Sequence, residues 1–277
     1  MNITQREVES YRSYLIEEEK ARGTVALYLA RVKEFAAFMQ GREVTKERVL
    51  AYKAQILETC APATANGKLG TVNLFLRYLG APECCVKRLR IQKQFYLPEE
   101  RQLRQEEYVR LVQTAQRRGD ERMVLCLQIL CASGIRVSEL RDITVAAARC
   151  GRAVIRNKGK TRTILLPEAL CRKILHYAAR QGISAGAVIL SNKGQPLDRT
   201  AVWRQMQKLC AAAGIPPEKG HPHALRHLFA VTYYQASHDP IGLADLLGHS
   251  SVDTTRIYTA TDGAEQTRRL EKLGLIL

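Results

Sequence analysis

The sequence predicts a mainly α protein of two domains, α+β in class because the second domain carries a small β-sheet in the form of a hairpin. Three observations lead there. Apolar residues recur at helical spacing throughout residues 1–90. A basic and then polar stretch without periodicity follows. Beyond it, helical patterns resume and are interrupted once by two β-rich runs around a turn. A chain of 277 residues, 46% of them hydrophobic, has the length for two ordinary domains and the side chains to give each a core.

Taken in order, Val8, Tyr11, Leu15 and Ile16 mark the first helix. Val25, Leu29, Val32, Phe35 and Phe38 or Met39 mark a second, with Thr24 as its N-cap and Gly41 at its end. A third runs near Thr45 to Glu58. A fourth runs from Thr64 to Leu79, with Leu69, Val72, Phe75, Leu76 and Leu79 as its apolar stripe, and Gly80-Ala-Pro82 stops it. These helices make a first domain over residues 1–90. From Val86 the chain turns basic (Val86-Lys-Arg-Leu-Arg-Ile-Gln-Lys) and then polar (Pro98-Glu-Glu-Arg). Residues 91–103 read as an interdomain linker, either laid along a polyanion or left as a solvated tether.

The second domain, residues 104–277, opens with a helix at Gln105-Glu-Glu-Tyr-Val-Arg-Leu-Val. Arg122 to Cys131 is apolar enough for a buried helix, Ser133-Gly134 breaks it, and Val137-Ser-Glu-Leu140 resumes a helical pattern. Ala153-Val-Ile-Arg156 and Thr161-Arg-Thr-Ile-Leu-Leu166 then flank Asn157-Lys-Gly-Lys160, a hairpin with a basic tip. Helices return at about 168–181, 198–213, 223–236, 240–247 and 263–273. The last is an amphipathic tail helix, which packs either on its own domain or on a neighbouring copy.

Lys and Arg number 43 against 27 Asp and Glu, a formal net charge of +16, which points to a polyanionic partner and first of all to nucleic acid. No apolar run approaches the roughly 20 residues of a membrane span. The N-terminus, Met1-Asn-Ile-Thr-Gln-Arg-Glu-Val-Glu, is polar and mixed in charge, unlike a signal peptide. A cytoplasmic protein is expected. Cys60, Cys84, Cys85, Cys126, Cys131, Cys150, Cys171 and Cys210 are scattered without a Cys-x-x-Cys pair, which disfavours a zinc ribbon. In a cytosol they read as reduced thiols, mostly small buried apolar groups.

Two runs carry the chemistry: His221-Pro-His-Ala-Leu-Arg-His227 and Leu246-Leu-Gly-His-Ser-Ser-Val-Asp-Thr-Thr-Arg-Ile-Tyr258. His223 and Arg226 lie three apart, on one face of a helix. A guanidinium matches the oxygens of a phosphate, and an imidazole moves a proton near neutrality. The Tyr258 hydroxyl becomes a nucleophile where cations lower its pKa from about 10 or a base takes its proton. His221-x-His223 and His223-x₃-His227 also have metal-ligand spacings, and His-x-His occurs in metal-dependent, tyrosine-using nickases of single-stranded DNA. No third ligand set accompanies them, so no metal is expected.

With these runs in order, the chain resembles the tyrosine recombinases, the superfamily of phage integrases, conjugative-transposon integrases and Xer-type recombinases, and in layout a two-domain Xer-like member. The family's His-x-x-Arg box appears as His223-Ala-Leu-Arg226-His227, and its Leu-Gly-His followed nine residues on by Tyr appears as Leu247-Gly-His249 and Tyr258. The box Thr-Gly-x-Arg-x-x-Glu-Leu appears as Ser133-Gly-Ile-Arg136-Val-Ser-Glu139-Leu, with Ser for Thr. The hairpin lysine, often in Gly-Lys-Gly, matches Lys158 in Asn157-Lys158-Gly159, with Lys160 close enough to compete for the role.

The resemblance implies a helical core-binding domain followed by a recombinase catalytic domain, the two forming a C-shaped clamp on double-stranded DNA. It implies that Tyr258 attacks the scissile phosphate, giving a 3′-phosphotyrosyl link and a free 5′-hydroxyl. Arg136 and Arg226 would clamp the non-bridging oxygens, Lys158 protonate the leaving oxygen, His223 accept the tyrosine proton and His249 bond the phosphate. Glu139 would orient Arg136, while Lys160 and Arg162 would contact DNA phosphates. No metal, ATP or other cofactor is called for, because the ester energy stays in the covalent link. The family works as a homotetramer on paired sites and as a monomer or weak dimer off DNA, with or without an accessory DNA-bending factor. Its members are prokaryotic or encoded by mobile elements and act at the nucleoid. Two alternatives share the fold: a catalytically inactive DNA-binding protein, and a type IB topoisomerase-like enzyme that relaxes DNA without pairing sites.

Overall fold

The computed structural model describes residues 2–91, 102–157, 160–248 and 271–272. The chain divides into two compact units, Met1–Lys93 and Gln94–Leu277.

The first unit holds α1 (Gln5–Glu17), α2 (Arg22–Met39), α3 (Lys46–Thr59) and α4 (Pro62–Tyr78). Thr4 starts α1 with a capping box: its hydroxyl accepts from the Arg6 amide, and the Glu7 carboxylate accepts from the Thr4 amide at 2.8 Å. α2 begins before the expected cap. Its first turn is already wound by the amides of Thr24 and Val25 donating to the Ala21 carbonyl at 2.8 and 3.0 Å, so Thr24 lies inside the helix. α4 begins at Pro62, whose ring presets the helical φ at a position that needs no N–H. Val8, Tyr11, Leu15, Val32, Phe35, Tyr52, Leu69, Val72, Phe75 and Leu76 are buried together. Tyr11 meets Phe75 edge-on at 4.9 Å and Phe35 meets Tyr52 at 5.0 Å. Ile16, expected on the first stripe, is 56% exposed.

The basic run beginning at Val86 is anchored at its start. The Asn73 side chain donates to the Val86 carbonyl at 2.8 Å and accepts from its amide at 2.9 Å, and Asn66 does the same for Leu89 at 2.9 and 2.7 Å. Two asparagines on α4 thus satisfy an extended segment as a neighbouring strand would.

The second unit runs α5 (Gln105–Arg117), α6 (Glu121–Ser133), a 3₁₀ segment (Val137–Asp142), α7 (Val145–Cys150), β1 (Arg152–Asn157), β2 (Lys160–Leu165), α8 (Glu168–Arg180), α9 (Arg199–Ala213), α10 (Pro222–Ser237) and α11 (Pro240–Leu247). α6 is the central helix, packed against α5, α8 and α10, with Met123, Cys126, Leu127, Ile129 and Leu130 fully buried. The segment after Gly134 is 3₁₀ rather than α. α7 lies outside the expected elements: six residues between the Thr144 cap and left-handed Gly151 are too short to show a period. The hairpin is antiparallel, with Ala153 opposite Ile164 and Ile155 opposite Arg162. Ala153, Ile155 and Ile164 are buried while Val154 and Leu165 are exposed, the alternation of a one-faced sheet. The expected tail helix falls outside the described residues except at Glu271 and Lys272. Among the described residues no helix is long and apolar enough to cross a membrane.

Candidate active site

Arg136 enters the site from the end of α6. Ser133 keeps its hydroxyl inside the helix, donating to the Ile129 carbonyl at 2.6 Å. Gly134 reverses the chain at φ +62°, and a β-carbon there would collide with the ring of Phe229 on α10. Arg136 then projects beside Glu139: its amide donates to Oε2 at 2.8 Å and its Nη1 to Oε1 at 3.1 Å. The Glu139 side chain is 2% exposed and that of Arg136 37%, so a buried carboxylate aims a guanidinium whose other edge is open.

α10 supplies the second guanidinium and the imidazole. His221 is its N-cap, with Nδ1 accepting from the Ala224 amide at 3.1 Å. Arg226 is 2% exposed; Nη1 donates to the Gly134 carbonyl at 2.7 Å and Nη2 to the Leu247 carbonyl at 2.8 Å. Leu247 ends α11 and Gly134 caps α6, so the buried cation sits against the negative ends of two helices. His223, one helical turn before Arg226, is exposed. A pocket of about 710 Å³ is lined by Arg136, Arg226, His221, His223, Arg199 and Trp203.

Burial first, and nearby charges second, favour the neutral form of the imidazoles. Protein packed beside the ring, then the charges of Arg226, His221, Arg136 and Arg199, hold the His223 pKa below the usual histidine value. Burial lowers His221 too and pushes His227, on the inner side of α10, down to about 4. An imidazole that shares a pocket with two guanidiniums can accept a proton, and the guanidiniums offer donors to a phosphate.

Arg162 was expected to reach a DNA phosphate, but it faces inward. Its Nη2 donates to Glu139 Oε2 at 2.7 Å and its Nη1 to the Leu247 carbonyl at 2.6 Å, with the side chain 17% exposed. A buried carboxylate and a helix C-terminus bind this guanidinium more firmly than water does. Lys160 opens β2 opposite Asn157. Lys158, His249 and Tyr258 lie outside the described residues.

Sequence reasoning passed over Arg199, Thr200 and Trp203, which line the pocket from the start of α9. Asp198 caps that helix, accepting from the Ala201 amide at 2.7 Å. The signal was present: Trp203 is the single tryptophan of the chain and is 46% exposed. Such a residue is costly to leave in water unless a partner covers it.

Residues 101–265 match the model of the phage integrase family. A tyrosine recombinase XerC of Roseiflexus castenholzii is 28% identical over 283 residues, covering 91% of this chain and 88% of that protein. A XerC of Brucella melitensis is 36% identical over 143 residues, covering 49% of this chain and 45% of that protein. Among solved structures, a lambda integrase dimer bound to a COC′ core site superposes with a TM-score of 0.75 at 18% identity, over 95% of this chain and 79% of that one. The XerH recombinase bound to difH substrate gives 0.72 at 20% identity, over 96% and 84%. At such identities the structural likeness establishes the fold. The family match spans more than half of the chain and takes in every box identified in the sequence, so the chain belongs to the phage integrase family, the tyrosine recombinases.

Proposed function

We propose that the protein is a site-specific recombinase that cuts and rejoins double-stranded DNA through a 3′-phosphotyrosyl intermediate. The observation that carries the reading is the convergence of Arg136, Arg226 and His223 on one open pocket, with the second guanidinium caged by helix ends. Phosphate would dock between the two arginines, which stabilise the charge that develops on its non-bridging oxygens. Tyr258 attacks, and His223, held neutral, takes its proton. Lys158 (or Lys160) gives a proton to the departing 5′-oxygen, and His249 bonds the phosphate. Because the tyrosyl ester conserves the energy of the broken bond, religation to another 5′-hydroxyl needs neither ATP nor a metal ion. Arg199 and Trp203 line the same pocket and would meet the backbone next to the scissile phosphate. The net charge of +16 supplies non-specific affinity that weakens steeply with salt. Lambda integrase bound as a dimer to a core site, and XerH bound to its difH substrate, support the choice of duplex DNA as partner. Assembly into a tetramer on two paired duplexes, through the tail after residue 263, is part of this proposal. So are the division into domains at 1–90 and 104–277 and action at a bacterial nucleoid.

The test is covalent trapping. Wild type and Tyr258→Phe are incubated with nicked suicide duplexes taken from the DNA flanking the gene, then run on a denaturing gel. A protein–DNA adduct with wild type alone is the expected result. An adduct with both assigns another nucleophile. Tight native-gel binding without an adduct makes the chain a non-catalytic DNA binder, and relaxation of supercoils without joint products makes it topoisomerase-like.

A further inference from the structure

Arg162 lies on β2 opposite Ile155, on the face of the hairpin that turns Ile164 inward, so strand geometry sends its guanidinium into the protein. There its two terminal nitrogens reach two different elements. Nη2 bonds Glu139, the carboxylate that also holds Arg136; Nη1 bonds the Leu247 carbonyl, the oxygen that also holds Arg226. Gly248 leaves α11 at φ +63°, and a β-carbon there would run into Nη1 and Cδ of Arg162. The guanidinium is therefore packed against the turn from which the chain continues to His249.

We propose that Arg162 is the positioning residue that locks the two phosphate-binding arginines to each other and to the hairpin bearing Lys158. The inference rests on the recombinase reading of this site. Arg162 touches no phosphate itself; it acts on Arg136 through Glu139 and on Arg226 through the Leu247 carbonyl. Three guanidiniums on separate elements repel one another, and the carboxylate and helix-end carbonyl between them hold them in register. A lysine lacks the flat fork that spans both acceptors, whereas it retains the charge contribution of a DNA backbone contact, which is what sets the salt slope.

Arg162→Lys decides between these roles, with Arg162→Met beside it. Each is measured for thermal unfolding, for native-gel affinity against salt, and for single-turnover adduct formation on the nicked suicide duplex. We expect a folded protein, unchanged affinity and salt slope, and adduct formation about 10²-fold slower in both variants, the scale of a small misplacement of catalytic groups. Arg136→Lys combined with Arg162→Lys should be no slower than Arg136→Lys alone, because the two act as one unit. A wild-type rate in Arg162→Lys, a salt slope reduced by about one, additive losses, or an Arg162→Lys that does not fold would each overturn the proposal. If wild type itself forms no adduct, the recombinase reading fails separately, and Arg162 is judged without DNA. Inorganic phosphate is then titrated while the Arg136 Nε–H resonance is followed. Roughly tenfold weaker binding in Arg162→Lys sustains the positioning role, and unchanged binding sinks it.

Discussion

The two units treat charge in opposite ways. Among the described residues of the first, the buried polar side chains are Thr71 and Asn73, both neutral; those of the second include Glu107, Glu139, Lys219, Arg226 and His227. The first unit is held by an aromatic and aliphatic core; its described cations are at most partly buried, Arg31 on the Gly67 carbonyl and Lys68 on Glu34 among them. The second draws Glu107, Glu139, Lys219 and Arg226 inside as ions and gives each of them a partner. Burying a charge costs several kcal/mol unless it is paired and hydrogen-bonded, so a fold that does it repeatedly is using those ions for something a surface could not do. Guanidiniums aimed in advance by buried partners act on a phosphate more strongly than ones that solvent must reorient.

The sharpest way to break the comparison is Arg226→Ala. Adduct formation should fall about 10²–10³-fold, and the buried Gly134 carbonyl loses a partner at roughly 1–3 kcal/mol while the Leu247 carbonyl keeps Arg162, measured by single-turnover kinetics and denaturant unfolding. A variant that cleaves normally would show that the caged ion serves the fold alone. Next is the Lys219–Glu107 pair, at 2.7 Å and buried. Lys219→Met should cost about 3 kcal/mol by leaving a carboxylate without its cation, and adding Glu107→Gln should recover about half, since the amide can still cap the Arg104 amide that Glu107 holds at 2.8 Å.

The third prediction concerns pH. The His227 pKa is depressed to about 4, so the folded state stays neutral while the unfolded chain takes up a proton below about 6.5. This contribution to stability is complete above that value and lost as pH falls toward 4, by about 3 kcal/mol at most. Urea unfolding at pH 7 and pH 4.5 should show a smaller acid loss in His227→Asn than in wild type; equal losses would place the proton elsewhere. The smallest effect belongs to the first unit. Asn73→Ala strips the Val86 amide and carbonyl of their partner and should cost about 1–3 kcal/mol of that unit's stability, with adduct formation at saturating DNA unchanged.

Much of this was legible before any coordinates. Val32, Phe35, Leu69, Val72, Phe75 and Leu76 fall where helical periodicity puts them, because a stripe that long has a single way to be buried. The boxes around Arg136 and Arg226 indicated a shared site through their resemblance to the family's motifs, each of which is local in sequence. What was missed is long-range. Arg162 reads as a basic hairpin residue until strand alternation places it on the Ile155 and Ile164 face; that parity was in the sequence, but the partners it meets are 23 and 85 residues away. Arg199 and Trp203 belong to a helix with an ordinary cap and become visible as site residues only when α9 is set against α10.

The Leu247 carbonyl receives two guanidiniums, and no side chain at that position takes part. The anchor is therefore a property of the chain path rather than of an amino acid. An apolar residue that fills the buried Leu247 site and lets α11 end before a left-handed glycine preserves it, whereas a β-carbon at position 248 would strike Arg162. Part of this site is thus written in backbone, in a form that a motif of side chains does not record and that a designer transplanting the arginines alone would leave behind.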